Sequence, residues 1–178
     1  AESLPCGEIG ELIVSGPQVS PAYVDDPAAN AQGKIDDDGR TWHRIGDVGY
    51  LDDQQRFWYC GRKSQRVVTA DGTLFTIPIE SRINAHPAVH RSALAGVGPR
   101  GAQVPVLVIQ TDRSWSGTFD DVRDALRAAA TCWPDALNGC EIFDYAGSLP
   151  VDVRHNAKIN REQLAAWAAE KLSRPSRW

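Results

Sequence analysis

The sequence contains no methionine, no long apolar run and no excess of basic charge. Each absence narrows the reading. The chain opens on Ala1 rather than on an initiator methionine, so it reads as a processed piece or a fragment of something longer. No apolar run approaches the roughly 20 residues that span a bilayer as a helix, so no membrane span is expected. The start, Ala1-Glu2-Ser3-Leu4-Pro5-Cys6, has neither a basic nor an apolar region and is not a signal peptide. Lys and Arg number 19 against 23 Asp and Glu, and the net charge of −4 gives no global pull toward nucleic acid or an anionic membrane. Cysteines are few and scattered, at Cys6, Cys60, Cys132 and Cys140. Without a C-x-x-C pair they suggest neither a zinc ribbon nor a thioredoxin-type redox site. They read as buried or partly buried free thiols in a reducing cytosol, with a Cys132–Cys140 disulfide left open.

What is present is enough for a real core. The 178 residues are 42% hydrophobic and 24% charged, which suits one ordinary domain or two small ones. The pattern changes at Tyr59-Cys60-Gly61-Arg62-Lys63-Ser64-Gln65-Arg66-Val67. Before it, Thr41 to Cys60 alternates apolar and polar residues between Gly and Asp turns. After it, short strands alternate with helices. A polar, basic stretch between two regimes reads as a linker or hinge, or as a solvated surface loop.

Upstream, Glu11 to Ser15 reads as a strand between glycines. Asp26-Pro27 opens a short helix, with Asp26 as cap and Pro27 at the first position. Asp36-Asp37-Asp38-Gly39 reads as a solvated turn, because the spaced ligands of a calcium loop are missing. Thr41–Leu51 and Arg56–Cys60 form a hairpin across Asp52-Asp53-Gln54-Gln55. Asp47 lies near its base between Gly46 and Gly49. It suits a turn cap, and its carboxylate could also accept two hydrogen bonds from a sugar diol.

Downstream, Gln65–Thr69 and Leu74–Ile77 read as strands around an Asp71-Gly72 turn. A helix follows with Pro78 near its start. Val89–Val97 and Val104–Thr111 are apolar strands. Phe119–Ala130 reads as a helix with Val122, Leu126 and Ala129 inward. Glu141–Tyr145 is a strand, Leu149–Ala157 an irregular loop and Asn160–Leu172 a last helix. Lys158 sits just before that helix, whose N-terminus already carries partial positive charge. It reads as an exposed loop lysine, or as one reaching away toward an anion. His86 and His90 are four apart, but Pro87 between them breaks the helical zinc motif. Arg62, Lys63 and Arg66 lack the interleaved aromatics of a nucleic-acid surface, so no nucleic acid is expected.

Taken in order, these signals resemble a known family. Gly10-Glu11-Leu12-Ile13-Val14-Ser15-Gly16, His43-Arg44-Ile45-Gly46-Asp47-Val48-Gly49-Tyr50, Gly61-Arg62, Asp71-Gly72 with Pro78-Ile79-Glu80, and Lys158-Ile159 are similar to motifs in the C-terminal third of the AMP-forming adenylating enzymes. That superfamily holds acyl-CoA synthetases, firefly luciferase and the adenylation domains of peptide synthetases. The resemblance implies an α+β chain. Residues 1–61 would be the β-rich end of a large N-terminal domain, and 62–178 a small mobile C-terminal domain. It implies that Asp47 holds the ribose hydroxyls of the nucleotide and that Arg62 contacts the nucleotide. Lys63 and Ser64 form the hinge, although the family usually has Asp or Lys where Ser64 stands. Gly72 belongs to the loop that swings in for the second half-reaction, and Lys158 supports adenylate formation. Ala157 replaces the usual glycine before that lysine.

ATP and Mg²⁺ are implied as well, held mostly by an upstream adenylating domain of the same protein. The phosphate loop and acyl pocket of that domain do not occur in this sequence, so the chain should be inactive alone. No metal site is expected in the chain itself. The run Cys60 to Val67 looks like the branch that acts in bacterial long-chain olefin biosynthesis, the β-lactone synthetases. That branch implies a long-chain β-hydroxy acid substrate, a cytoplasmic location and other olefin-biosynthesis enzymes as partners. The alternatives are an acyl-CoA ligase and a non-catalytic binding domain that kept the fold.

Overall fold

The computed structural model describes residues 2–129, 137, 139–152 and 155–173. The chain divides into two compact units, Ala1–Ser64 and Gln65–Trp178. Of the Cys132–Cys140 pair left open above, Cys132 lies outside the described residues and Cys140 is a buried free thiol.

The first unit is a four-stranded antiparallel sheet built on one long strand. Its elements are β1 (Gly10–Val14), α1 (Pro27–Gly33), β2 (Lys34–Asp37), β3 (Arg40–Leu51) and β4 (Phe57–Arg62). Strand β3 pairs β2 over Arg40–His43, β1 over His43–Gly49 and β4 over Asp47–Leu51. Helix α1 begins as its sequence requires. Pro27 opens it, and Asp26 caps it by accepting from the Ala29 N–H at 2.8 Å. The acidic turn is shorter than expected. Asp36 and Asp37 extend β2, and only Asp38 and Gly39 turn, with φ of +54° and +74°. Two positive φ angles match the right-handed twist of a hairpin, which Asp-Gly tolerates best. Asp52 closes the other hairpin, accepting from the backbone N–H groups of Gln54 and Arg56 at 2.9 Å each.

Strand β4 continues through Gly61 to Arg62, so both residues belong to the first sheet. The pairing ladder keeps them there, with Val48 opposite Gly61 and Asp47 opposite Arg62. A single 3-10 turn, Lys63–Gln65, follows.

The second unit is a three-layer α+β body. Its elements are β5 (Val67–Val68), β6 (Thr73–Leu74), α2 (Thr76–Ile83), β7 (Val89–Val97), β8 (Val104–Thr111), α3 (Phe119–Ala128), β9 (Glu141–Asp144), β10 (Val151–Asp152), β11 (His155–Ile159) and α4 (Arg161–Leu172). The central sheet runs β7-β8-β9, with β8 antiparallel to β7 and parallel to β9. Side chains alternate across it, as the two-residue period of a strand demands. Leu94, Leu107 and Ile109 pack with Ile79 and Ile83 of α2 and with Val122 and Leu126 of α3. Ala93, Ala95, Val106 and Val108 face the other way, onto Leu164 and Ala168 of α4. Both faces are therefore covered, which explains why β7 and β8 are apolar almost throughout.

Three expectations need correction. Helix α2 starts at Thr76, so residues 76 and 77 are helical and Pro78 is its third residue. The first helical N–H groups lack intrahelical partners anyway, and a proline there costs little. Ala129 is exposed, because α3 ends at Ala128 and Ala129 is its C-cap. The expected loop before the last helix contains two paired strands, β10 and β11.

Candidate functional site

Asp47 and Arg62 are brought together by the β3–β4 register, where they stand directly opposite one another. Arg62 Nη1 donates to Asp47 Oδ1 at 2.9 Å and to the Ile45 carbonyl. Both side chains are partly exposed, 39% for Arg62 and 28% for Asp47. Asp47 Oδ2 has no hydrogen-bond partner among the described residues. A carboxylate held from one side by a guanidinium, with its second oxygen unengaged, can still receive hydroxyl donors. The flanking glycines have different roles. Gly46 takes φ of +77°, a backbone conformation that favours glycine, and a Cβ there would lie 3.6 Å from Arg62 Nη1. Gly49 makes room for the neighbouring strand, because a Cβ there would sit 2.2 Å from the Trp58 carbonyl oxygen.

Lys63 is anchored within the first unit. Its Nζ donates to Glu11 Oε2 at 2.6 Å. The same oxygen accepts from Arg44 Nη2 at 2.5 Å and Nε at 3.1 Å. Burial raises the Glu11 pKa, but the hydrogen bonds from Arg44 and Lys63 outweigh it and hold the group below its ordinary value. Glu11, Arg44 and Lys63, with Tyr23 and Gln32, line a shallow cavity of about 460 Å³. The sequence motifs contained Glu11 and Arg44 but gave neither a role. Their signal was a carboxylate and two cations spread over two strands and the turn after β4.

In the second unit Gly72 sits at the tip of the β5–β6 hairpin with φ of +148°. Its carbonyl accepts from the Thr69 N–H at 2.9 Å and the Thr69 hydroxyl at 3.0 Å. The hairpin is moored at Val68, whose N–H donates to Gln103 Oε1 at 2.9 Å. The Val68 carbonyl accepts from the N–H groups of Gly101 and Gln103. Lys158 lies on β11 with its side chain exposed. Ile159 pairs with Val151, and Asn160 caps α4 by accepting from the Gln163 N–H at 3.0 Å. The lysine therefore projects from a paired strand that runs directly into a capped helix. Among the described residues no three His, Cys, Asp or Glu side chains are grouped to hold a metal ion. His86 and His90 are engaged elsewhere, His86 Nδ1 with the Ala88 N–H and His90 with Asp112 at 3.6 Å.

The fold defines the class. The chain matches the solved o-succinylbenzoate CoA synthetase of Bacillus subtilis, captured with its acyl-adenylate intermediate, at a TM-score of 0.72. The match covers 90% of this chain and 31% of that one, at 23% identity, and establishes the fold. The motifs laid out in order along the chain fall within that fold, and sequence identity shows the family: the chain belongs to the olefin beta-lactone synthetase family of AMP-forming adenylating enzymes.

Sequence narrows the branch. The chain is 47% identical to the olefin beta-lactone synthetase of Stenotrophomonas maltophilia over 98% of its own length and 32% of the relative's. It is 44% identical to the olefin beta-lactone synthetase of Xanthomonas campestris pv. campestris over 94% of its length and 31% of the relative's. It thus spans about a third of the curated relatives it matches. No family model matches the chain. Among the described residues no helix is long and apolar enough to cross a membrane.

Proposed function

We propose that this chain is the C-terminal part of an ATP-dependent, AMP-forming acid ligase that converts a long-chain β-hydroxy acid to a β-lactone. The observation that carries this reading is the 47% identity to an olefin beta-lactone synthetase along 98% of the chain. In the first step a substrate carboxylate oxygen attacks the α-phosphorus of ATP. The bond from that phosphorus to the bridging oxygen breaks, and pyrophosphate leaves. In the second step the substrate's own β-hydroxyl oxygen attacks the acyl carbon, loses its proton and displaces AMP. The attacking group is already held within the substrate, so no external thiol is needed.

The chain's own residues take the following parts in this reading. Asp47, steadied by Arg62 at 2.9 Å, accepts hydrogen bonds from the ribose hydroxyls through its unengaged oxygen. Fixing the sugar fixes the phosphate that reacts. Lys158, exposed at the end of β11, meets the negative charge that gathers on the phosphoryl oxygens. The second unit pivots at Lys63-Ser64 between the steps, withdrawing Lys158 and presenting the Gly72 hairpin. The upstream two-thirds of the protein supplies the acyl pocket. In this reading the magnesium that accompanies ATP is held mostly by that upstream part. ATP as substrate and the free thiols of Cys6, Cys60 and Cys140 fit a reducing, ATP-supplied compartment, the cytoplasm.

Product analysis tests the reading. The full-length protein, given ATP, Mg²⁺ and a long-chain β-hydroxy acid, is expected to release AMP and a β-lactone without coenzyme A. Mass spectrometry with and without coenzyme A separates the alternatives. A thioester as sole product would replace the lactone assignment by an acyl-CoA ligase. Absence of AMP under both conditions would leave a binding domain.

A further inference from the structure

Arg161 is the first residue of α4 and follows Lys158 by three. A cation there opposes the helix's own partial positive charge. This one is also largely buried, with its side chain 13% exposed and that of its partner Glu80 7%. The pairing is two-pronged. Arg161 Nη1 donates to Glu80 Oε1 at 2.5 Å, and Nη2 donates to Glu80 Oε2 at 2.9 Å. Both backbone groups of Leu94 join it. The Leu94 carbonyl accepts from Arg161 Nη1 at 2.9 Å, and the Leu94 N–H donates to Glu80 Oε1 at 2.7 Å. One carboxylate–guanidinium pair therefore locks α2, β7 and the start of α4 together.

Stability is a weak reason for such a pair, since buried ion pairs often do no better than packed apolar side chains. Helix α4 is already seated by Leu164 and Ala168 against Ala93 and Ala95. What a planar fork adds is direction, because it fixes the height and rotation of the first turn of α4. That setting passes to Lys158 with little slack. Ile159 packs against the same core, and the Asn160 N–H donates to the Pro150 carbonyl at 2.9 Å.

We propose that Glu80 and Arg161 are positioning residues for Lys158, fixing where its ammonium group meets the phosphate during adenylate formation. The proposal rests on the role assigned to Lys158 above. Misplacing a reacting contact by about 1 Å can slow catalysis as much as a hundredfold.

A double-mutant cycle in the full-length protein tests it, with Arg161→Lys, Glu80→Gln and Lys158→Ala. Arg161→Lys keeps the charge and loses the fork, so it is the variant least disposed to misfold. It is expected to lower kcat for pyrophosphate exchange about tenfold, with the KM for ATP within about twofold. In the Lys158→Ala background the same change is expected to cost less than twofold. Conversion of a preformed adenylate to product is expected to proceed at the native rate in Arg161→Lys. Glu80→Gln is expected to follow the same pattern, and thermal melts confirm that each variant folds. An equal loss with and without Lys158 would make the pair merely structural and overturn the proposal. An unchanged exchange rate in Arg161→Lys would do so too. If Lys158→Ala alone leaves exchange unchanged, the role of Lys158 fails first and this proposal falls with it.

Discussion

At Glu11 a single carboxylate oxygen receives Lys63 and both Arg44 contacts. Its pKa is depressed, so the sign of its linkage to stability is fixed. The folded protein holds the charged form more firmly than the unfolded chain does. The stabilisation is fully present above the unfolded glutamate pKa of about 4.3, and is lost as pH falls through the lower folded value. Glu11→Gln is therefore expected to melt lower than the native protein at pH 7, with the gap closing as pH falls below the ordinary glutamate range. A gap that stays constant or widens on acidification would show that the ion pairs contribute nothing. Arg44 is 33% and Lys63 36% exposed, so solvent screens the pairs and the effect is expected at about 1 kcal/mol. None of this was legible locally. Asp47, Arg62 and Lys63 stood out by type and spacing, but their partners are fixed by strand register. A β-bulge between Val48 and Gly49 shifts the β3–β4 pairing, and another between Glu11 and Ile13 shifts β1. A sequence read one segment at a time does not contain those offsets.

The short elements were legible where turn chemistry is strong and hidden where pairing is weak. Asp26-Pro27 announces itself as a cap and first helical residue, and Asp38-Gly39 and Asp71-Gly72 as turns whose positive φ few residues tolerate. Strands β10 and β11 do not. In His155-Asn156-Ala157-Lys158-Ile159 the alternation is confined to Ala157 and Ile159, too short to mark a strand without its partner. Arg161 carried an unread signal, since a cation opening a helix asks for a carboxylate just as Lys158 asks for an anion. The β5–β6 hairpin yields a prediction at this scale. A Cβ at Gly72 would meet nothing within 4 Å, so any penalty there is backbone strain alone. With φ of +148°, Gly72→Val is expected to destabilise the second unit by about 1–3 kcal/mol and reshape the hairpin tip. In the full-length protein it should slow conversion of a preformed adenylate about tenfold. Rapid-quench measurement at native rate would remove the hairpin from the second step.

The two units differ most in what they bury. In residues 65–178 the sheet is sealed on both faces, from Leu94, Leu107 and Ile109 on one to Val106, Val108 and Leu164 on the other. In residues 1–64, Val48 and Cys60 are the only hydrophobic side chains fully buried among the described residues. Phe57, Trp58, Tyr59, Leu51, Leu4 and Ile9 remain exposed on the same unit. Each large side chain taken from water contributes about 1.5–3 kcal/mol, while ordering each residue's backbone costs about 1–2 kcal/mol. With only these two fully buried and the apolar residues of β1 and most of β3 half-buried, the sheet has little core of its own. The exposed aromatics of β4, which alternate between the two faces of the sheet, support the proposal that an upstream domain completes the first unit. Dissection tests it. Residues 65–178 expressed alone are expected to unfold in one cooperative thermal transition. Residues 1–64 alone are expected to show none, with Trp42 and Trp58 fluorescing as in water. The intact chain should then show the single transition of its second unit. A cooperative melt from residues 1–64 would mean that the sheet is self-sufficient, and the exposed aromatics would need another explanation.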